Sequence, residues 1–344
     1  MFDIKLKTQL LCTLLFALLL NPLLLTAQDE LNVYSARKEA LIKPVLDKFS
    51  AQTGIKINLI TAKADALLKR IESEGKNTHA DIFITTDAGR LYRAKQAGVL
   101  QPFKSATLDQ HIPENLRDPD GYWYGLTVRA RPIFYAKDVM SADKLSSYEY
   151  LVKPEFKNKI CIRSSNNVYN QSLVASMIVA NGKEKTQQWA NDFVKNFARK
   201  PKGGDRDQIK AAAAGQCELA IANTYYYAKM LKSKDAAQKK AAEKVDIFWP
   251  NQNDRGTHIN ISGITITKHA KHVESAKKLV EFLVSKKSQR WYADVNYEYP
   301  VRVDVLPSKL LAGWGSFKAD SINLDQLGKN NAEAVKIMDR AGWR

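Results

Sequence analysis

Three consecutive tyrosines, Tyr225, Tyr226 and Tyr227, follow a short apolar run, and a fourth, Tyr169, lies in a polar segment upstream. A phenol oxygen binds a metal strongly only after losing a proton whose pKa is near 10, which costs roughly 4 kcal/mol at pH 7. Three such ligands together cost about 12 kcal/mol. Only a small, highly charged, hard cation offsets that cost by bonding, so these residues point to ferric iron.

The spacing of the tyrosines restricts the backbone that brings them to one ion. Consecutive side chains of a strand point to opposite faces. Tyr225 and Tyr226 therefore converge only if the strand has ended, for example where Thr224 caps a new helix. The alternative is ordinary packing, because aromatic residues are common in and near strands.

Several arginines near predicted strand ends are candidates for holding an anion. Arg37 lies where a strand ends and a helix begins, so it can hold a small oxyanion together with backbone N–H groups. Arg129 and Arg131 lie near a predicted connection between two halves of the chain. The donor-rich loop 163–172 also leads into a helix and can hold an anion or aim a side chain. The alternative for each arginine is a structural or surface role.

Other metals and common catalytic motifs fit the sequence poorly. Zinc favours clustered thiolates or imidazoles, whereas the histidine pair His269 and His272 is flanked by lysines at a predicted helix start. Calcium favours a loop of clustered carboxylates, and the sequence has none. The serine-hydrolase, phosphate-loop and zinc-protease motifs are also missing from the sequence.

The first residues predict export. Lys5 and Lys7 precede an almost wholly apolar run, Leu10–Leu25, and Thr26-Ala27 offers a cleavage point. We therefore expect residues 1–27 to be a signal peptide and the mature protein to be soluble. The alternative is an uncleaved membrane anchor.

Removing the leader leaves two cysteines, Cys161 and Cys217. An even pair in an oxidising compartment predicts a disulfide. It would close a loop of more than fifty residues and contribute on the order of 4 kcal/mol. Two buried free thiols are the alternative.

The net charge of +17 first suggests a nucleic-acid partner. The lysines, however, are scattered along helix-like segments such as 233–244, which is typical of solvated helix faces. No RNA-binding or zinc-finger motif accompanies them. We therefore expect no nucleic-acid partner, although a positive field attracts anions and anionic metal chelates.

Strand-like and helix-like segments alternate along the chain, which predicts an α/β fold with a mostly parallel sheet. The predicted strands are Leu31–Ser35, Lys56–Ile60, Asp81–Thr85, Lys159–Ile162, Leu219–Ala222 and Ile259–Ile266. The predicted helices are Ala40–Gln52, Asp65–Ser73, Gly89–Ala97, Asn170–Asn181, Asp205–Ala214 and Val273–Val284.

The order of these elements predicts two α/β lobes that form a clamshell. Two extended crossings, near 126–134 and 255–264, join them. The first lobe comprises residues 28–130 plus 256–306, and the second comprises 131–255 plus 307–344. Ligands of open α/β sheets bind beyond the carboxyl ends of the strands, where both Arg37 and Tyr225 lie.

Several segments together resemble the periplasmic ferric-ion-binding proteins of bacterial ABC importers, over nearly the whole mature chain. The segments are Val33–Arg37, Ala80–Phe83, Arg163–Ser172, Gly203–Gln208, Ala222–Tyr227 and Glu298–Val301. The resemblance implies a two-domain class II periplasmic binding protein fold with two crossover strands. It also implies iron ligands Tyr169, Tyr225 and Tyr226, with Tyr227 as a packing residue. Iron would pass from the cleft to an ABC permease in the inner membrane.

The chain departs from part of this family in the first lobe. Lys38 and Glu39 stand where some members carry a histidine or a His-Tyr pair, and Thr86 stands where some carry a glutamate. A subgroup with three tyrosines fills this gap with a synergistic anion, so the resemblance implies Fe³⁺ together with carbonate or bicarbonate. Arg37 is the first candidate to bind that anion, followed by Arg131 or Arg129. Glu39 as a direct fourth ligand is the alternative.

These observations predict a periplasmic, monomeric solute-binding protein that captures ferric iron and catalyses no reaction. A protein of the same fold that binds an oxyanion, a thiamine-like cation or a polyamine is the first alternative. An exported enzyme of unrecognised type and a basic surface-interaction protein are the others.

Overall fold

The computed structural model describes residues 29–344. The predicted signal peptide, residues 1–27, lies outside the described residues. Within residues 29–344, no helix combines the length and the apolar character that crossing a membrane requires.

The larger of two sheets contains the strands β1, β2, β3, β4, β5, β10 and β11. Their bounds are Glu30–Ser35, Lys56–Thr61, Ile82–Thr86, Leu100–Gln101, Tyr124–Ala130, Ile259–Thr267 and Tyr299–Pro300. The strand order is β11-β5-β10-β3-β1-β2, and β4 pairs with β10 outside this path. β10 and β3 lie at the centre of this order, and every residue of β10 is buried.

The smaller sheet has the order β7-β8-β6-β9. In chain order β6 is Ile133–Ala136, β7 is Ile160–Cys161, β8 is Leu219–Ile221 and β9 is Val245–Phe248. β7 and β8 are parallel, so their carboxyl ends meet at one edge of the sheet. The chain segments after these two ends are the ones that carry Tyr169 and Tyr225.

The prediction of a mostly parallel sheet is wrong. In the larger sheet β1 runs parallel to β2 and β3, but β10 is antiparallel to β3, β4 and β5. The opening βαβαβ units are parallel because a helix carries the chain back before each new strand. β10 returns to the larger sheet from the other half of the molecule and therefore runs opposite to β3, β4 and β5, and β11 likewise runs opposite to β5.

Helices cover the faces of both sheets. The α-helices are Lys43–Thr53, Ala64–Glu74, Ala88–Gln96, Ala106–His111, Val168–Asn181, Lys183–Phe193, Asp205–Ala213, Thr224–Leu231, Ala236–Glu243, Val273–Val284, Lys286–Trp291, Lys309–Ala312, Asp325–Lys329 and Asn331–Arg340. Every predicted strand and helix is present. The largest displacement of an end is at the first helix, which was predicted from Ala40 and begins at Lys43 after a short 3₁₀ turn.

Two adjacent segments connect the sheets. β5 ends at Ala130 in the larger sheet, and β6 starts at Ile133 in the smaller one. The chain returns through Arg255–His258 into β10, and the Arg131 N–H donates to the His258 carbonyl over 3.0 Å. These are the two predicted crossings, paired side by side. The exact lobe boundaries stay a prediction.

The structure contains the predicted disulfide between Cys161 and Cys217, which are 56 residues apart. Cys161 ends β7, and Cys217 lies two residues before the start of β8 at Leu219. Each cysteine lies eight positions before a candidate ligand, since 169 − 161 and 225 − 217 both equal 8. The bridge therefore ties together the two strands from which the tyrosines extend.

Replacing Cys161 and Cys217 together by alanine is expected to lower the free energy of unfolding by about 4 kcal/mol, because the open chain gains loop entropy. Denaturant titration followed by circular dichroism measures the change. Wild-type protein treated with a reductant serves as the control and should unfold at the same denaturant concentration as the double variant. Equal stability of oxidised wild type and variant would contradict this account.

Candidate metal site

Tyr225 and Tyr226 lie in the first turn of the Thr224–Leu231 helix, directly after β8. Their ring centroids are 4.2 Å apart, and both side chains are partly exposed. The strand has ended before them, as convergence on one ion requires. Thr224 is the first helical residue and not the cap, a position that Asn223 occupies without a capping side-chain hydrogen bond.

Tyr169 lies in the first turn of the Val168–Asn181 helix, which follows β7. Its hydroxyl oxygen is 3.3 Å from that of Tyr225, within hydrogen-bond distance. The structure therefore brings Tyr169, Tyr225 and Tyr226 together, although more than fifty residues separate the first from the others. Tyr227 points away: it is buried, and its hydroxyl donates to the Val245 carbonyl over 3.0 Å.

A cavity of about 420 Å³ opens beside the three tyrosines, and both sheets contribute to its lining. From the larger-sheet half come Ala36, Arg37, Lys38, Ala40, Leu41, Thr86 and Glu298, and from the smaller-sheet half Tyr169, Arg206, Tyr225, Tyr226 and Lys229. A groove of about 670 Å³ elsewhere, around Asp118 and Arg117, does not include these tyrosines. The tyrosine cavity is thus a cleft between the two halves.

Three guanidinium groups surround the Tyr169 ring. The central carbons of Arg129, Arg131 and Arg163 lie 5.5, 5.9 and 5.8 Å from its centroid. This candidate ligand therefore lies among three positive charges.

Two basic residues on the cleft wall lie beside Tyr225 and Tyr226. Neither of them was named as a site residue from the sequence. The Arg206 guanidinium carbon lies 5.7 Å from the Tyr226 ring centroid, and Lys229 Nζ lies 5.8 Å from that of Tyr225. The sequence could have indicated Lys229, because it lies four residues after Tyr225 and residues four apart share one face of a helix. Arg206 lies in the segment Gly203–Gln208 that carries the family resemblance, but only the fold brings the Asp205–Ala213 helix beside the tyrosines.

Burial raises the pKa of the Tyr225 phenol well above its ordinary value, and the neighbouring Tyr169 and Tyr226 add to the rise. Burial also raises the pKa of Tyr226, again with a contribution from Tyr169. Arg129 opposes the rise at Tyr225, and Arg163 opposes it at Tyr226. Without a metal, Tyr225 and Tyr226 therefore keep their protons at neutral pH.

Burial lowers the pKa of Lys229 to about 8. Glu298 opposes this shift, whereas Arg37, Arg206 and Lys38 add to it by repulsion. The cleft therefore holds more positive charge than its own carboxylate balances, and it is suited to an anion.

The three arginines proposed for an anion differ in how their nitrogens are used. Arg37 donates through Nη1 and Nη2 to the Glu298 carboxylate, at 2.8 and 2.9 Å, and also to Ser262. Arg129 is buried and donates only through Nη1, to Ser262 Oγ at 3.1 Å. Within residues 29–344, its Nε and Nη2 have no hydrogen-bond partner. Arg129 thus has the most unused donors of the three, whereas Arg37 is the one of the three that lines the cavity.

Arg131 is held by polar groups of the smaller-sheet half. It donates to Asn170 at 2.5 Å, to Asn223 at 3.0 Å and to Asp205 at 3.4 Å, and only its Nε lacks a partner among the described residues. Asn170 directly follows Tyr169, and Asn223 lies two residues before Tyr225 at the start of the second helix. Arg131 therefore ties the two tyrosine-bearing helices together.

The larger-sheet half adds few anionic groups to the cleft. Glu39 is exposed and is absent from the cavity lining, whereas Lys38 and Thr86 do line it. Glu298 is buried and paired with Arg37. Over residues 29–344, no group of three or more His, Cys, Asp or Glu side chains is placed to hold a metal ion.

Comparisons with known proteins agree with this geometry. Residues 77–313 match the family of bacterial extracellular solute-binding proteins. Iron uptake protein A1 from Synechocystis sp. is 50% identical over 317 residues, which are 92% of this chain and 88% of that protein.

Two solved structures show the same architecture. The Trichodesmium protein IdiA/FutA, in complex with iron and citrate, matches with a TM-score of 0.89 and 48% identity over 92% of this chain and 100% of that one. A ferric binding protein from Campylobacter jejuni matches with a TM-score of 0.86 and 43% identity, over 91% of this chain and 100% of that one. The predicted two-lobed α/β fold is thereby confirmed.

Proposed function

The chain belongs to the family of bacterial extracellular solute-binding proteins, and from this premise we propose that it captures ferric iron through Tyr169, Tyr225 and Tyr226. The observation that carries the proposal is the meeting of three phenols from two helices at one cleft, with 3.3 Å between two of the hydroxyls. The iron-binding relatives support the same conclusion.

The charges of the site favour a trivalent ion. Three phenolates neutralise Fe³⁺, whereas a divalent ion would leave a buried negative charge. The helix N-termini that carry the tyrosines stabilise the phenolates through their backbone dipoles. Arg129 lowers the cost of ionising Tyr225, and Arg163 lowers that of Tyr226.

A second, anionic ligand completes the site in this proposal. The neutral iron–phenolate unit leaves the cleft cations unbalanced, because four basic residues and one carboxylate line the cavity. Arg129 is the preferred partner of the anion, since two of its buried nitrogens lack hydrogen bonds within residues 29–344. Arg37 is a weaker candidate, because its guanidinium group already forms an ion pair with the Glu298 carboxylate.

The size and charge of the cleft favour a multivalent carboxylate over carbonate. About 420 Å³ is more room than one carbonate needs. Lys38, Arg206 and Lys229 line the cavity without an ion pair of their own among the described residues. The iron and citrate bound to the Trichodesmium relative support this choice.

In the cell, the protein would act in the periplasm as a monomer without catalytic activity, after the leader has been cleaved. It would pass its iron to an ABC permease in the inner membrane. A thiamine-like cation or a polyamine is disfavoured as ligand, because the cleft cations would repel it. An oxyanion bound without iron is the alternative that the experiments below distinguish.

Replacing Tyr225 or Tyr226 by phenylalanine is expected to weaken ferric binding by more than about 100-fold and to remove the tyrosinate-to-iron colour. Even residues that only hold a metal ligand in place typically contribute 10–100-fold to affinity, so a direct ligand contributes more. Affinity is measured by competition with a chelator, and colour by the visible spectrum.

Tyr227→Phe is the matched control, because Tyr227 lies on the same helix but donates to Val245. It should keep both the colour and the affinity. A coloured, tight-binding Tyr225→Phe or Tyr226→Phe protein would remove that residue from the site. A colourless wild type that binds an oxyanion tightly would favour the alternative function.

Acidification is expected to weaken ferric binding steeply. The pKa values of Tyr225 and Tyr226 are raised, so both phenols are protonated at neutral pH and the ion must displace their protons. With one proton displaced per tyrosine, the affinity falls by up to about a thousandfold per pH unit, because each proton contributes a factor of about ten. Competition titrations at several pH values, corrected for protonation of the competing chelator, measure the slope. An affinity independent of pH would show that the phenols do not ionise on binding.

Citrate is expected to strengthen the ferric charge-transfer band more than bicarbonate does at equal concentration. Lys229→Met should reduce the effect of citrate by about tenfold, because it removes a charge-assisted hydrogen-bond donor from the cleft. Lys232→Met is the control, since Lys232 lies on the same chain segment but is exposed. An equal effect of bicarbonate would indicate carbonate as the co-ligand. A band that needs no added anion would contradict the second ligand.

A further inference from the structure

Asp87 is a buried acidic residue outside the cavity lining, at the point where the two halves of the molecule meet. It follows β3 and occupies the N-cap position of the Ala88–Gln96 helix, where its carboxyl accepts from the Gly89 N–H over 2.9 Å. Its φ angle is 83°, which residues other than glycine rarely adopt. Strained backbone at a buried site is retained where the surroundings hold it in place.

The carboxyl of Asp87 joins three separate elements. Ser172 Oγ, on the Val168–Asn181 helix, donates to its two oxygens at 2.8 and 2.9 Å. Asn260 Nδ2, on β10, donates to it at 2.9 Å, and the Asn260 side-chain oxygen accepts from the Ala88 N–H. One side chain therefore links the larger sheet, a crossing strand and a helix of the other half.

These bonds lead to the candidate site by two routes. Ser172 lies three residues after Tyr169, so both are on one face of the helix. Asn260 pairs directly with Arg129 across the antiparallel strands β10 and β5. The Arg129 guanidinium carbon in turn lies 5.5 Å from the Tyr169 ring centroid. Asp87 is thus connected to Tyr169 through Ser172 along one helix, and through Asn260 and Arg129 by strand pairing and a ring contact.

We propose that Asp87 is a positioning residue for the metal site, whose carboxyl fixes Tyr169 through Ser172 and Arg129 through Asn260 at the junction of the two halves. The inference rests on the proposed ferric function. It adds that the geometry of the tyrosine site depends on a carboxyl that touches neither the ion nor its ligands.

A carboxyl is suited to this position because its partners are donors. The Gly89 N–H, the Ser172 hydroxyl and the Asn260 amide all point hydrogens at its two oxygens. Asparagine at position 87 keeps the shape but replaces one acceptor with a donor. Alanine at position 172 removes one donor and leaves the other bonds of Asp87 in place.

The test compares wild type, Ser172→Ala, Asp87→Asn and the double variant. We expect each single variant to bind ferric iron about tenfold more weakly, since each loses a buried hydrogen bond to a charged or polar group. The maximum of the charge-transfer band should also shift, because Tyr169 meets the ion at a changed angle. If Asp87 acts on Tyr169 through Ser172, the double variant should lose less than the product of the single losses.

Ser176→Ala is the matched control. Ser176 is buried on the same helix, one turn further on, and donates to the Leu173 carbonyl, not to Asp87. This variant should lower the melting temperature of the iron-free protein about as much as Ser172→Ala, while leaving ferric affinity and the band maximum unchanged.

Unchanged ferric affinity and an unchanged band maximum in Ser172→Ala would overturn the inference. If Asp87→Asn does not fold, the Ser172→Ala result alone tests the inference. Equal losses of affinity in Ser172→Ala and Ser176→Ala would also overturn it, because general destabilisation would then explain both. A wild-type protein that binds no ferric iron would instead refute the proposed function. The two failures are therefore distinguishable.

Discussion

The proposed ferric site depends on an electrostatic constraint: three phenols must lie close enough to share one ion, although their charged forms repel one another. Burial raises the pKa values of Tyr225 and Tyr226, and the crowding adds to the rise through Tyr169 in both cases. The cations around the rings offset part of that repulsion but would repel an approaching ion if left unbalanced. A trivalent cation together with an anion satisfies both sets of charges.

The fold meets this constraint by repeating one arrangement. β7 and β8 are parallel neighbours, and each leads into a helix whose first turn carries a tyrosine. The disulfide joins the two strand regions, and Arg131 joins the two helices through Asn170 and Asn223. Two segments that are distant in the sequence thus form one rigid wall of the cleft.

The larger-sheet half contributes walls and charged groups to the cleft more than it contributes candidate metal ligands. Arg37 and Glu298 neutralise each other at its centre, and Lys38 and Thr86 stand beside them on the lining. Because this wall offers no free carboxylate among the described residues that line the cavity, an external anion has a defined place to bind. The junction around Asp87 sets how the two walls face each other.

The sequence alone determined the cysteine pair and the alternation of strands and helices, and it indicated the proposed ligand chemistry, because these depend on residue type and on local periodicity. It also indicated Tyr225 and Tyr226 as neighbours, since they adjoin in the chain. The tertiary structure decided which arginine keeps free donors, that Arg206 and Lys229 line the cleft, that the sheet is largely antiparallel, and that Asp87 meets Ser172 and Asn260. Those features depend on pairings between residues up to 261 positions apart, such as Arg37 with Glu298, and no local pattern records such pairings.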